Sequence, residues 1–323
     1  MTLRRVLPAV GAGFLLFVSI SASFAQLWPS RPVKVIVPYA PGITDTTARL
    51  TAERLGKRFN QPFPVENKVG ANGAVGVDTV MQAASDGSTV LFAGSGIFTV
   101  LPLVQKVSFE PLKDLLPVSI TGSNGMVLVA DRTTPYSTLR QLIDFARDNP
   151  GKIRMAHSGI GTNNHLAAAY LTALEGLNVA YVQFGGGGQA PLTGLLAKQA
   201  DLYFGNTSDV MEAIRAGKVK PIAVSTRQRM PQVPNVPSAA ETIPGFEYLA
   251  WNAYAVPRTM PPAVVTRLAF ELQVIARDPE LVRAFADLGI DMVGSTPEEA
   301  AARTRKEMEI SAAIIDISGL RKK

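Results

Sequence analysis

Val33-Lys34-Val35-Ile36-Val37-Pro38-Tyr39-Ala40-Pro41-Gly42-Ile43-Thr44-Asp45 runs from an apolar stretch through a Pro- and Gly-marked turn to the mouth of a helix. The run to Val37 is short, β-branched and uncharged except for Lys34, as a strand buried on both faces would be. Past the turn, Thr46 to Phe59 places Ala48, Ala52, Leu55 and Phe59 on one helical face. The same strand–loop–helix grammar recurs down the chain. Ala93 is followed by Gly94-Ser95-Gly96, Ala156 by His157-Ser158-Gly159-Ile160-Gly161-Thr162, Phe184 by Gly185 to Gly188, and Phe204 by Gly205-Asn206-Thr207-Ser208. Repeated units of this kind predict an α/β fold built on mostly parallel sheets with helices on both faces.

Further strands are expected at Phe63–Val65, Thr89–Ala93, Met126–Ala130, Ile153–Ala156, Val179–Phe184, Asp201–Phe204 and Pro221–Ser225. Leu139, Leu142, Ile143 and Ala146 mark a helix with Ser137 as its N-cap, and Leu166, Ala169, Tyr170 and Ala173 mark another. The last third differs: one long strand at Tyr248–Val256, then helical patterns near Pro262–Ala276, Pro279–Leu288 and Pro297–Ile315, each with Pro at or near its start. Two strand–helix blocks followed by a helical return predict a discontinuous first lobe. The expected division is residues 26–125 with 251–323 for lobe one and 126–250 for lobe two. Met126–Ala130 and Tyr248–Val256 would be the crossing strands of a hinge.

The first 25 residues have the layout of a secretory signal peptide. Arg4 and Arg5 are followed by the uncharged apolar stretch Val6–Ile20 and by Ser23-Phe24-Ala25, with cleavage expected near Ala25. The stretch is short for a bilayer span of about 20 residues. The chain has no Cys, which excludes lipid attachment through that residue and leaves core packing without disulfides to hold an exported fold. Hydrophobic residues at 47% and charged ones at 18% describe a globular chain. What remains past the leader exceeds the size at which a single core stops growing. The net charge of +6 is dispersed, which argues against nucleic acid as a partner.

In an open α/β sheet, ligands sit beyond the carboxyl ends of the strands. The loops there are rich in Gly, Ser and Thr and run into helices. A helix N-terminus offers unpaired N–H groups and partial positive charge, so two facing ends can hold a carboxylate without an arginine. Taken singly, each loop is also what an ordinary strand-to-helix turn requires. The candidate ligand-binding residues are Tyr39, Gly42, Ile43, Thr44, Asp45, Ser95, Ser158, Gly159, Gly161, Thr162, Gly186 and Asn206. Asp45 reads first as an N-cap and second as a group for a ligand amine or an ordered water. His165 reads as a structural hydrogen-bonding residue and Trp251 as core. Gly-x-Ser-x-Gly, Gly-x-Gly-x-x-Gly and Walker patterns are missing, and His157 and His165 do not have metal-pair spacing, so no catalytic residue, cofactor or metal is expected. A secreted enzyme using Ser158 or Ser95 would need His157 as base, and neighbours on a strand end point to opposite faces.

The ordered segments resemble the Bug family, the extracytoplasmic solute-binding proteins of tripartite tricarboxylate transporters. The resemblance runs from Trp28-Pro29-Ser30-Arg31-Pro32-Val33 through Val37 to Asp45, Val65-Glu66-Asn67-Lys68, Gly70-Ala71-Asn72-Gly73, Asp86 to Val90 and Pro111 to Leu115. It continues with Ser158 to Thr162, His165-Leu166-Ala167, Val233 to Ser238 and Pro244-Gly245-Phe246-Glu247. It implies a periplasmic-binding-protein type II fold, two α/β lobes joined by two crossing strands. It also implies a monomer in the periplasm that closes on a small carboxylate and delivers it to a membrane permease, or alternatively docks on a membrane sensor. The loop at Gly42 is one residue shorter than the family pattern and carries Ile43, which would favour a ligand with an apolar part. Gly185 stands where the family often has a basic residue, which argues against a highly charged ligand.

Overall fold

The computed structural model describes residues 28–185 and 188–317. The expected signal peptide and Gly186 lie outside those residues. The chain begins with β1 (Lys34–Val37), α1 (Ile43–Phe59), β2 (Val65–Asn67), α2 (Ala74–Met81), β3 (Thr89–Gly94), α3 (Ser95–Thr99), α4 (Leu101–Val104) and β4 (Leu115–Asn124). A second block follows: β5 (Met126–Asp131), α5 (Leu139–Asp148), β6 (Arg154–His157), α6 (Asn163–Leu174), β7 (Ala180–Gln183), α7 (Gln189–Leu196), β8 (Leu202–Asn206), α8 (Thr207–Arg215) and β9 (Val219–Val224). The return comprises β10 (Ala250–Pro257), α9 (Pro262–Ile275), α10 (Pro279–Asp287), β11 (Asp291–Met292) and α11 (Pro297–Ile317). The first sheet has the order β11-β4-β10-β3-β1-β2 and the second β7-β6-β8-β5-β9.

The alternation read in the strands is what sandwiches each sheet between helices. Val35 and Val37 of β1 pack into the core under α1 with Ala48, Ala52 and Leu55, while Ile36 faces the opposite core with Val77 and Val80 of α2. Met126, Leu128 and Ala130 of β5 likewise face one side and Val127 and Val129 the other. Each Val, Leu, Ile or Met side chain among these contributes about 1.5–3 kcal/mol when fully buried. A further cluster joins Val100 after α3, Leu166 and Ala169 of α6, and Ile314 and Ile315 of α11, so the C-terminal helix binds both lobes.

The sheets are mixed, which corrects the mostly parallel expectation. β1 runs parallel to β2 and β3, and β6 to β7 and β8. β10 is antiparallel to β3 and β4, and β5 to β8 and β9. The reason is topological. β1, β3, β6 and β8 end at the cleft between the lobes, whereas β5 and β10 enter their lobe from the other one. They start at the cleft and must run away from it.

The hinge also differs in detail. Met126–Asp131 and Ala250–Pro257 each lie wholly within one sheet, and the chain passes between sheets at Gly125 and again just before Ala250. A Cβ on Gly125 would sit 2.3 Å from Thr226 Cγ2, so no side chain fits there. Ser225 ties the two passages together: its Oγ donates to Tyr248 O at 2.6 Å and accepts from Met126 N at 2.8 Å. Two smaller corrections concern local signals. The N-cap of α5 is Thr138, whose side chain accepts from Gln141 N, and Ser137 instead donates its N–H to Gln141 Oε1. β2 begins at Val65, where the expected strand was to end.

Candidate ligand-binding cleft

The carboxyl ends of β1 and β3 in one lobe and of β6 and β8 in the other bring the predicted loops to the same cleft. On the first lobe, α1 starts at Ile43, so the N–H groups of Ile43, Thr44 and Asp45 have no helical acceptor, and no side chain caps them. Thr44 Oγ1 lies 3.5 Å from Asn252 Oδ1 on β10. A Cβ on Gly94 would stand 3.4 Å from both Asn252 Oδ1 and the Tyr39 hydroxyl, so the glycine leaves a notch between two polar groups. Burial pushes the Tyr39 phenol above its ordinary range, which keeps it protonated and able to donate. Ile43 is half-buried, with part of its side chain packed on the first lobe's core.

Asp45 is not the N-cap. It is the third residue of α1, and its carboxylate accepts from Arg49 Nε at 2.9 Å, Arg49 Nη2 at 3.0 Å and Asn67 Nδ2 at 2.9 Å. The hydrogen-bonded Arg49 guanidinium holds its pKa below the usual carboxylate range. Asn67 Nδ2 also donates to Tyr39 O at 2.9 Å. Asp45 therefore braces the loop from behind, with its oxygens already engaged.

On the second lobe, Asn164 organises the loop. Its Oδ1 accepts from Ser158 N at 3.1 Å and Thr162 Oγ1 at 2.6 Å, and its Nδ2 donates to Ser158 Oγ at 2.9 Å. Thr162 Oγ1 also reaches Gly159 O at 2.7 Å. The Ser158 and Thr162 hydroxyls expected to face a ligand are thus turned into their own loop. What the loop leaves available is backbone: α6 begins after Thr162 with no side-chain cap. Gly161 has φ of 80°, in the region that favours glycine, and a Cβ there would lie 2.9 Å from Val100 Cγ1. Its N–H donates to His165 Nδ1 at 3.2 Å, which is the structural role expected of that histidine. Burial, with His157 4.7 Å away ring to ring, brings His165 down to about 4, so the pair is neutral at pH 7.

The lobes meet beside these loops. Ser95 Oγ donates to Asn163 Oδ1 at 3.2 Å, and the Tyr248 hydroxyl donates to the same oxygen at 3.0 Å. Ser95 is consequently a lobe-to-lobe contact. Asn206 accepts on Oδ1 from Asn124 Nδ2 at 3.0 Å, next to the Gly125 passage. Trp251 is core, 1% exposed, with its indole N–H donated to Glu307. Asn163, Asn164, Tyr248 and Asn252 were not picked out from the sequence. A lone Asn inside the apolar run Ala250–Pro257 was the one available signal.

The helices that open on the cleft, α1, α3, α6, α7 and α8, all lack a side-chain cap, as do α2, α4 and α9, whereas α5 and α10 are capped by Thr138 and Asp278. Among the described residues, the cleft loops at 38–45, 94–96, 157–162 and 205–207 contain no Lys or Arg. Surface hollows at Arg54–Asp278 and at Trp28–Asp86 lie at the far end of α1 and at the amino ends of β1 and β3, and their charged groups are ion-paired. No group of three or more metal-ligating side chains occurs among the described residues, and no described helix is long and apolar enough to cross a membrane.

A family model described as the tripartite tricarboxylate transporter family receptor matches residues 47–320. The chain belongs to this family. It is 33% identical over 312 residues, 95% of this chain and 91% of the relative, to the UPF0065 protein in the tcbD-tcbE intergenic region of Pseudomonas sp. strain P51. Protein BugT of Bordetella pertussis is 29% identical over 328 residues, covering all of both chains. Among solved structures, Rpa4515 of R. palustris with adipate superposes with a TM-score of 0.80 at 26% identity, covering 90% of this chain and 98% of that one. MatC (Rpa3494) of Rhodopseudomonas palustris with bound malate gives 0.77 at 29%, covering 89% and 100%. The two-lobed receptor fold and the Bug-type resemblance read from the loops stand with these likenesses.

Proposed function

We propose that this receptor works in the periplasm, closes its two lobes over one small organic acid, and presents it to the permease of a tripartite transporter. The observation that carries the reading is the pair of uncapped helix starts, α1 on one lobe and α6 on the other, in a cleft whose described loops contain no Lys or Arg. Free N–H groups and the positive helix ends there suit a carboxylate, and adipate and malate are the ligands named for two similar structures. Tyr39, Gly42, Ile43, Thr44, Gly159 and Gly161 line the capturing loops in this reading, and Asn252 and Asn163 join them. Lobe one comprises the first sheet and its helices, lobe two the second, with the passage at Gly125 as half of the hinge.

Binding without turnover fits the hydroxyl geometry. Ser95 and Ser158 are hydrogen-bonded to asparagine side chains, and His157 packs against His165 and Tyr181. The test is a thermal-shift screen of the ligand-stripped mature protein against mono- and dicarboxylates. One acid at 100 times its Kd should stabilise by about 2.7 kcal/mol. A broad carboxylate panel without any stabilisation refutes the proposal.

A further inference from the structure

Asp209 differs from most other enclosed carboxylates; Asp131, which is 9% exposed and hydrogen-bonded to Thr133, also lacks an ion pair among the described residues but lies at the end of β5 away from the cleft. Asp45, Asp201, Glu271, Asp278 and Glu307 each has an arginine within ion-pair distance. Asp209, in the first turn of α8, takes hydrogen bonds from neutral amides only: Asn206 Nδ2 at 3.0 Å and Gln189 Nε2 at 3.5 Å. Among the described residues it forms no ion pair with a Lys or Arg. It is part-exposed at its edge and otherwise hemmed in by protein, and burial raises its pKa despite those hydrogen bonds.

Its place is the cleft end of the second lobe. Asn206 bonds to Asn124 beside the passage between lobes. Thr207, which opens α8, lies against the first lobe, where a Cβ on Gly289 would be 3.0 Å away. On the other side, a Cβ on Gly188 would fall 2.2 Å from Asp209 Oδ2, so any larger residue at that position would crowd the carboxylate. The Tyr203 hydroxyl holds Gly188 in position by donating to its carbonyl oxygen at 2.9 Å.

An enclosed carboxylate without a cation is costly, and a ligand that brings the cation offsets the cost. We infer that the solute is an aminocarboxylate: its carboxylate lies on the uncapped starts of α1 and α6, and its ammonium group pairs with Asp209, with the side-chain carbonyls of Asn206 and Gln189 as further acceptors. The inference rests on the receptor reading above and narrows it to ligands carrying both charges. The ordinary role for Asp209 is to stabilise the first turn of α8 through the helix dipole, and the two roles separate experimentally.

The ligand-stripped mature protein is titrated by calorimetry at pH 7 with unbranched acids of three to six carbons in four matched forms: monocarboxylate, dicarboxylate, α-amino acid and ω-amino acid. The same series is run on Asp209→Asn, which keeps a hydrogen-bond acceptor at the helix start. The expected result is an amino form binding at least tenfold tighter than the monocarboxylate and dicarboxylate of its length, with that preference lost in D209N. A monocarboxylate or dicarboxylate binding as tightly as every amino form overturns the inference while leaving the receptor reading intact. An amino preference unchanged in D209N also overturns it and leaves Asp209 as a helix stabiliser. Should D209N not fold, the preference in the unsubstituted protein still decides the ligand class. No binding by any acid contradicts both readings.

Discussion

Replacing Asn164 with alanine separates a loop built by its own side chains from one shaped by the ligand. Asn164 is 5% exposed, and its amide holds Ser158 N, Ser158 Oγ and Thr162 Oγ1 within 3.1 Å. Removing it deletes three hydrogen bonds, each with a net worth of about 0.5–1.5 kcal/mol. Water can reach the part-exposed Ser158 and Thr162 and recover some of this, whereas the Ser158 N–H keeps no partner inside the loop. The expected loss of unfolding free energy is therefore about 2–3 kcal/mol. Urea denaturation at pH 7 followed by Trp fluorescence measures it, with hydrogen exchange at residues 158–162 as the local readout. Exchange there should rise while Lys34–Val37 stays protected. A loss below about 0.5 kcal/mol, or unchanged exchange in the loop, refutes the argument that Asn164 sets its shape.

Other perturbations test separate parts of the account. His165 has a folded pKa of about 4 against an unfolded value near 6.5, so below 6.5 the unfolded chain takes up the proton first. Stability should fall by up to about 3 kcal/mol as pH drops from 6.5 to 4, and His165→Gln should flatten that slope in urea titrations. Asp45 has a lowered folded pKa, so its contribution is present above the unfolded carboxylate range and lost as pH falls through the folded value. Asp45→Asn should accordingly destabilise at pH 7, with the difference from the parent chain shrinking in strong acid. Trp251→Phe removes the indole donor to Glu307 and should cost about 1–3 kcal/mol in the same denaturation assay.

The strand–loop–helix repeats were legible because apolar runs and Gly-rich turns are local. Strand direction is not local, and the mixed sheets follow from where the chain crosses at Gly125 and before Ala250. β4, the longest strand, was missed because Pro117, Ser119, Thr121 and Gly122 interrupt its apolar pattern. Those polar groups are satisfied from afar: Thr121 Oγ1 donates to Asn252 O, and the Ile120 N–H donates to Ser295 Oγ. The cleft was similarly half visible. Its glycines and helix starts could be read, but the inward turn of Ser158 and Thr162 depends on Asn164, and the engagement of Ser95 depends on a residue of the other lobe. Asp45 was misassigned because an acidic residue at a helix start looks the same in sequence whether it caps the helix or pairs with Arg49.

The claim that backbone groups of both lobes capture the acid is tested most directly by amide NMR during titration with a bound carboxylate. The amide protons of Ile43, Thr44 and Asp45 at the start of α1, and of Asn163 and Asn164 at the start of α6, should shift downfield together and saturate at one equivalent. Saturable binding that leaves both sets unmoved, or that instead shifts amides around the Arg54–Asp278 hollow, would contradict it.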